Sequence, residues 1–169
     1  MRKIGLISDT HSYLEPKALE ILRDVDEIWH AGDIGDPAVS DALAALKPFR
    51  AVYGNIDGKD IRYQFPQDDR FYCEGLEVLM THIGGYPGNY APRARKLINE
   101  RTPNIFICGH SHILKVMRDP AYNNMLVLNP GAAGTHGFHQ VKTLLRFTID
   151  AGKVTHMEAV EMGKRGEIK

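Results

Sequence analysis

Seven residues of this chain offer oxygen or nitrogen donors to a cation, and each closes an apolar run: Asp9, His11, Asp33, Asn55, His82, His110 and His112. Ile4-Gly5-Leu6-Ile7 stops at Ser8-Asp9-Thr10-His11, and Ile105-Phe106-Ile107-Cys108 stops at Gly109-His110-Ser111-His112. Met125 to Leu128 stops in the same way at Asn129-Pro130-Gly131. Buried strands that end in polar residues deliver them to one crevice at the carboxyl edge of a sheet. Singly, an Asp after a strand is a turn or helix cap and a His is a core residue bonded to backbone. Seven donors at successive strand ends point instead to a shared ion site.

The spacings say what kind of site. Asp9 and His11 are two apart, so in an extended segment they share a face and could grip one ion. His110 and His112 repeat that spacing, and could share an ion or serve two adjacent ones. The set is too large for a closed structural zinc site, which takes four ligands and favours thiolates. Mixed imidazole and carboxylate donors suit manganese, iron, nickel or zinc better than an all-oxygen magnesium site. Two ions about 3.5–4 Å apart need a bridging carboxylate. Asp33, the sole carboxylate of its strand end, is the candidate. Such a pair acidifies a bridging water and holds the oxygens of a phosphoester as charge builds, so no protein nucleophile is required. Direct attack by water then inverts phosphorus. A zinc peptidase is disfavoured, because the chain has no HExxH pair.

The elements that must position these residues follow from periodicity. Lys3 to Ile7, Glu27 to His30 and Phe49 to Val52 read as short strands, separated by helices from Leu14 and from Pro37, the latter capped by Asp36. This β-α-β-α-β order is that of a parallel sheet with helices on its faces. Phe71 to Cys73 and Glu77 to Met80 form a hairpin, and Ala91 to Arg101 a further helix. From Ile113 onward the pattern is strand-like throughout, with clean alternation from Val141 to Ile149. Gly58 to Asp69 reads as a long loop. The expected fold is α/β, a four-layer α-β-β-α sandwich of two mixed sheets flanked by helices, one sheet built by the helical half and the other by the C-terminal hairpins. Residues 1–162 would form a single domain and 163–169 a polar, frayed tail.

The 169 residues carry 21 basic and 21 acidic side chains and are 43% hydrophobic. Such a chain buries a real core, and its charge balance argues against extended nucleic acid as a partner. A small phosphoester substrate needs only a local site, and a homo-oligomer is compatible with the composition. The N-terminus lacks a secretory apolar region and no run approaches a membrane span, which predicts a cytoplasmic protein with no membrane partner. Cys73 and Cys108 read as buried free thiols.

Ser8-Asp9-Thr10-His11, Gly32-Asp33, Gly54-Asn55, Thr81-His82 and Gly109-His110-Ser111-His112, in that order, resemble the motif series of the calcineurin-like metallophosphoesterase superfamily. Gly54-Asn55-Ile56-Asp57 and the run Asn129 to Gly134 are similar to its small bacterial and archaeal phosphodiesterase branch, which also includes the retromer subunit of eukaryotes. The resemblance covers residues 3 to about 160. It implies that Asp9, His11, Asp33 and His112 hold one metal and that Asp33, Asn55, His82 and His110 hold the other. It also implies two divalent ions, manganese foremost, with nickel, iron or zinc as alternatives. Asp33, Asn55 and His82 take the catalytic role, and phosphodiester hydrolysis is the expected activity. A phosphomonoesterase of the same mechanism and a non-catalytic scaffold are the alternatives. A scaffold is expected to have substituted ligands, and none is replaced here.

Two departures from the family pattern matter. Larger members place a histidine directly after the asparagine, where it can protonate the leaving group; this chain has Ile56. Asp57 could donate that proton or cap the loop. After His82 comes Ile83, where a glycine is common, and then a pliable run in which Tyr86 or Tyr90 could cover a substrate ring or pack on the next helix. Arg93 or Arg95 could meet a phosphate or face solvent. His30 could orient a ligand or sit in the core, and His136 and His139 could line the rim. His156 needs no special role. Asn129 is expected to fix a turn that lets backbone approach the crevice.

Overall fold

The computed structural model describes residues 1–166. Strand β1 (Arg2–Ile7), helix α1 (Pro16–Leu22), strand β2 (Glu27–His30), helix α2 (Pro37–Leu46) and strand β3 (Phe49–Ala51) form the expected alternation. Asp36 caps α2 by accepting from Ala38 N at 2.9 Å, with Pro37 behind it. Helix α3 (Lys59–Gln64) follows, then strands β4 (Asp68–Cys73), β5 (Leu76–Thr81), β6 (Gly85–Tyr86) and β7 (Asn89–Tyr90). After helix α4 (Pro92–Glu100) come strands β8 (Ile105–Ile107), β9 (Leu114–Asp119), β10 (Met125–Pro130), β11 (Val141–Asp150) and β12 (Lys153–Lys164).

Two mixed five-stranded sheets stack, in the orders β12-β11-β1-β2-β3 and β4-β5-β8-β10-β9. Strands β1, β2 and β3 run parallel, as do β5, β8 and β10. The inner layer, where the sheets meet, holds Ile4, Leu6, Trp29, Val78, Met80, Ile105, Leu128, Leu145 and Phe147. Their neighbours Ile7, Ile28 and Leu79 point outward and are covered by helices, Ile7 and Ile28 with α1 and α2 and Leu79 with α4. Burial on both faces explains why these strands read as continuous apolar runs rather than alternating ones. The α-β-β-α sandwich stands as expected, and Cys73 and Cys108 are buried and unbridged.

Three details depart from expectation. The C-terminal hairpin does not belong to a sheet of its own half. Strand β11 pairs antiparallel with β1, from Arg2 opposite Ile149 to Leu6 opposite Leu145. The crossovers through α1 and α2 carry the chain away from one edge of β1, and the alternating face of β11 closes that edge. Within Gly58 to Asp69, six residues form α3; with only Ile61 buried, it has no stripe for periodicity to find. Strand β12 runs through Gly163 and Lys164, residues assigned to the tail, while residues 167–169 lie outside the described residues.

Trp29 lies edge-on to Phe71 at 5.0 Å and to Phe147 at 5.9 Å between ring centroids, tying the two sheets together. Phe147→Ala is expected to cost about 3–5 kcal/mol. Urea unfolding followed by the fluorescence of Trp29, the chain's one tryptophan, measures it, and a loss below about 1 kcal/mol would contradict this packing.

Candidate metal centre

The seven donors converge. Asp9 and His11 follow β1, Asp33 follows β2, Asn55 follows β3, His82 follows β5, and His110 and His112 follow β8. The parallel strands of both sheets thus point their carboxyl ends into one crevice. The ligand atoms gather in two groups, Asp9 with His11 and His112, and Asp33 with His82 and His110; within each group they lie within 4.8 Å of one another. Asn55 stands against the second group, its Oδ1 3.1 Å from His110 Nδ1.

Each carboxylate divides its two oxygens between holding position and facing the site. Asp9 Oδ2 accepts from Ser8 Oγ at 2.6 Å and from His110 N at 3.1 Å, while Oδ1 has no hydrogen-bond partner. Asp33 Oδ1 accepts from Ile56 N at 3.1 Å, while Oδ2 lies 3.3 Å from His11 Nε2 and 3.1 Å from His82 Nε2. His82 donates from Nδ1 to Ala31 O at 2.8 Å, which leaves Nε2 bare. Buried polar atoms are normally paired. Here Asp9 Oδ1, His11 Nε2 and His82 Nε2 are buried, unpaired and turned towards each other. A divalent cation supplies what these donors lack, so the residues fit the two ions expected of them.

The electrostatics agree. Asp9 and Asp33 have side chains 0% and 3% exposed. Burial would raise both, but the imidazoles of His11 and His112 beside Asp9, and of His11 and His82 beside Asp33, hold them well below the usual carboxylate range. The same contacts, Asp33 first and Asp9 second, push His11 up to about 9. Burial pulls His82 down, and the two carboxylates outweigh it and raise it. His110 is lowered, by burial first and then by His82.

Local backbone makes this convergence possible. Asp9, His11, Asp33, His110 and His112 all have positive φ, between 45° and 70°. Non-glycine residues in that region cost of order 1–3 kcal/mol each and persist where surrounding contacts fix them. The fixing contacts are visible. Asp9, His11 and Ser12 donate backbone N–H groups to the carbonyls of Gly32, Asp33 and Ile34 at 2.9–3.0 Å. His30 is fully buried and pushed down to about 3 by that burial. It accepts from Gly32 N through Nδ1 and donates from Nε2 to Thr10 Oγ1, whose hydroxyl donates to Ile34 O. His30 is therefore the core histidine bonded to backbone, and through Thr10 it also ties the Asp9 loop to the Asp33 loop. A Cβ at Gly54 would collide with Asp33 Oδ1, and one at Gly109 with Ser8 Oγ, so neither loop tolerates a side chain there.

The surrounding residues fall out plainly. Asp57 caps its loop, accepting from Gly35 N and Gly54 N at 2.8 Å and from Ile34 N at 3.2 Å. Asn129 fixes its turn, donating to Gly109 O at 3.0 Å and accepting from Gly131 N at 3.0 Å. Tyr90 is buried and donates to Asp119 Oδ2, whereas Tyr86 is exposed beneath Lys115 Nζ. Arg95 and His156 are exposed, and His136 stacks on His11 at 4.8 Å. Beside Asn55 and His82 opens a cleft of 490 Å³ lined by Tyr53, Arg62, Ile83, Pro92 and Arg93, the last paired with Asp68. Neither the cleft nor Arg62 was legible in sequence. Arg62 donates to Asp57 O at 2.6 Å and Asn55 O at 3.3 Å and lies over the Tyr53 ring, contacts that no motif or spacing announces.

The raised His11 gives a signed expectation for the metal-free protein. Its stabilising contribution is fully present below pH 6.5 and is lost as pH rises towards about 9. In chelator, the wild-type melting temperature should fall across that window, and His11→Asn should flatten the fall. Melting curves over the pH range decide, and an equally steep fall in the variant would contradict the assignment.

The comparisons with known proteins agree with this geometry. A family model described as the calcineurin-like phosphoesterase superfamily domain matches residues 2–152. A probable metallophosphoesterase of Methanothermobacter thermautotrophicus is 32% identical over 136 residues, 76% of this chain and 76% of that protein. A phosphodiesterase of Methanocaldococcus jannaschii is 31% identical over 151 residues, covering 76% of this chain and 82% of its own. Among solved structures, Vps29 of Chaetomium thermophilum superposes with a TM-score of 0.73 at 17% identity, over 97% of this chain and 100% of that one, a likeness of fold alone. On the family match and the two archaeal relatives, the chain belongs to the calcineurin-like phosphoesterase superfamily.

Proposed function

We propose that this protein is a metal-dependent phosphodiesterase acting on a small phosphoester or nucleotide derivative, with Asp9, His11, Asp33 and His112 holding one divalent ion and Asp33, Asn55, His82 and His110 the other. The observation that carries the reading is the set of buried, unpaired atoms Asp9 Oδ1, His11 Nε2 and His82 Nε2 around Asp33 Oδ2. Asp33 Oδ2 faces a histidine of each group, which supports its role as the bridge. The mixed nitrogen and oxygen donors favour manganese, with nickel, iron or zinc able to take its place. We place the protein in the cytoplasm; among the described residues no helix is long and apolar enough to cross a membrane.

The ions, when bound, acidify water and neutralise charge on the phosphoryl oxygens. The chain's own residues do the rest. Asp9 and Asp33 are held rigid through one oxygen each, and His82 through its bond to Ala31 O, so the donors need no rearrangement. The cleft beside Asn55 and His82 has Tyr53, Ile83 and Pro92 as apolar walls and is suited to an aromatic or nucleoside leaving group. Neither position weighed for that role is free to protonate the leaving group. Ile56 occupies the position at the rim, 46% exposed, and both oxygens of Asp57 are committed to backbone amides. Leaving groups of low pKa, as in activated diesters, are therefore preferred.

Asp33→Asn should abolish turnover on an aryl phosphodiester, with a loss of at least about 10³-fold, and full activity in that variant would sink the two-ion reading. The assay is run with manganese, nickel, iron and zinc in turn, and on a matched monoester; faster monoester hydrolysis would make the protein a phosphomonoesterase of the same mechanism. Ile56→His should raise rates on poor leaving groups by about 10²-fold and leave activated ones nearly unchanged. An equal change on both would show that leaving-group protonation is not what this position controls.

A further inference from the structure

Behind His112 stands a second imidazole that the metal assignment does not use. His139 lies in the loop between β10 and β11, half-buried, with its Nδ1 3.2 Å from His112 Nδ1 and its Nε2 2.8 Å from Gly134 O. The directions of these two bonds are forced. A carbonyl oxygen only accepts, so His139 Nε2 carries the hydrogen and donates to Gly134 O. A neutral imidazole has one N–H, so with that hydrogen on Nε2 the His139 Nδ1 is a bare lone pair. The nitrogen facing it, His112 Nδ1, must then be the donor. In a neutral His112 that hydrogen is the ring's one N–H, so Nε2, which faces Asp9 Oδ1 at 3.2 Å, is the nitrogen left to bind a cation.

Gly134 is itself fixed. Its N donates to Asp9 O at 3.1 Å, Ala133 N donates to Ser8 O at 2.9 Å, and a Cβ on Gly134 would collide with Thr10 O. The loop that carries the terminal acceptor is thus stitched to the loop that carries Asp9 and His11. Gly137 packs so closely on the His112 ring that a Cβ there would overlap Nδ1. His82 solves the same problem in one step, donating directly to Ala31 O. His112 Nδ1 meets His139 Nδ1 instead and reaches a carbonyl, that of Gly134, through it.

We infer that His139 is a positioning residue for the first metal site: it accepts from His112 Nδ1 and donates to Gly134 O, and so fixes His112 in the tautomer whose Nε2 is free to bind a cation. This rests on the reading of His112 as a ligand. Partners of this kind typically contribute 10–100-fold to metal affinity. His139→Phe keeps a planar ring and removes both bonds; His139→Gln keeps one acceptor and one donor on a planar group.

Calorimetric titration of the chelated protein with manganese should show two equivalents in the wild type. In His139→Phe one equivalent should weaken 10–100-fold while the other is unchanged, and His139→Gln should recover most of that loss. Nitrogen-15 NMR of the metal-free wild type should show His112 with its proton on Nδ1, a readout independent of metal uptake, of activity and of whether either variant folds. A His112 with no proton on Nδ1 in the wild type would overturn the inference. So would two unaltered equivalents in His139→Phe, equal weakening of both, or a His139→Gln variant as weak as His139→Phe. A wild type that takes up no ions would instead remove the ligand assignment, and the tautomer measurement would then decide the relay alone.

Discussion

Two carboxylates, Asp9 and Asp33, buried near one another with imidazoles as their neighbours, set the terms for the rest of this structure. Withdrawing such groups from water costs several kcal/mol each even after relaxation. Each is compensated on its outer oxygen, Asp9 by Ser8 Oγ and His110 N and Asp33 by Ile56 N. The inner oxygens face histidine nitrogens, and the two carboxylates raise His11 to about 9 and, against burial, raise His82 as well. Protons and divalent ions therefore compete for the same donor atoms, and the fold holds those donors in place for a cation.

Gathering these donors explains the backbone around them. Five donors sit at positive φ, and they lie directly after strands, where a chain would otherwise enter a helix or a relaxed turn. A two-residue spacing such as Asp9 to His11 would place both side chains on one face of an extended segment. With both residues left-handed, the loop curls instead, and the two side chains meet Asp33 from different directions. The strain is held by contacts between loops rather than within them. His30 and Thr10 bind the first loop to the second, Asp57 binds the second to the third, and Asn129 binds the loop after β8 to the turn after β10. Each of these residues is polar and buried, and each is spent on backbone groups rather than on chemistry.

This separates what the sequence could reveal from what it could not. Donor type and position after an apolar run are local properties, so all seven donors and the strands that carry them were legible, as was the layering that follows from β-α-β-α-β. Whether His30 or Asp57 acts on a ligand or on backbone depends on which distant amide lies opposite, and no spacing encodes that. The placement of β11 escaped for a related reason: its alternation shows that one face is buried, not which sheet edge it completes. Helix α3 escaped because six residues with one buried side chain carry no period. The cleft beside Asn55 escaped because Tyr53, Ile83 and Pro92 come from three separate loops and meet only in the fold.

The pairing of β11 with β1 has a consequence for the site that edge closure alone does not require. The segment entering β11 carries His139, and β11 itself carries Lys142, whose ammonium lies 2.5 Å from Glu15 Oε2 with both side chains 1% exposed. Glu15 ends the loop that begins at Asp9 and starts α1. A buried ion pair is weak grounds for net stability, because desolvation offsets most of the attraction, but breaking one partner is costly, so the pair strongly disfavours any other register. The C-terminal hairpin thus pins the far end of the His11 loop through Lys142 while His139 backs His112 from the side. The second group is supported differently, by Ala31 O behind His82 and by Asp57 and Arg62 behind the Asn55 loop. The two groups are thus braced in part by different segments of the chain, and they meet at Asp33, which faces His11 and His82, and at Asp9, which accepts from His110 N.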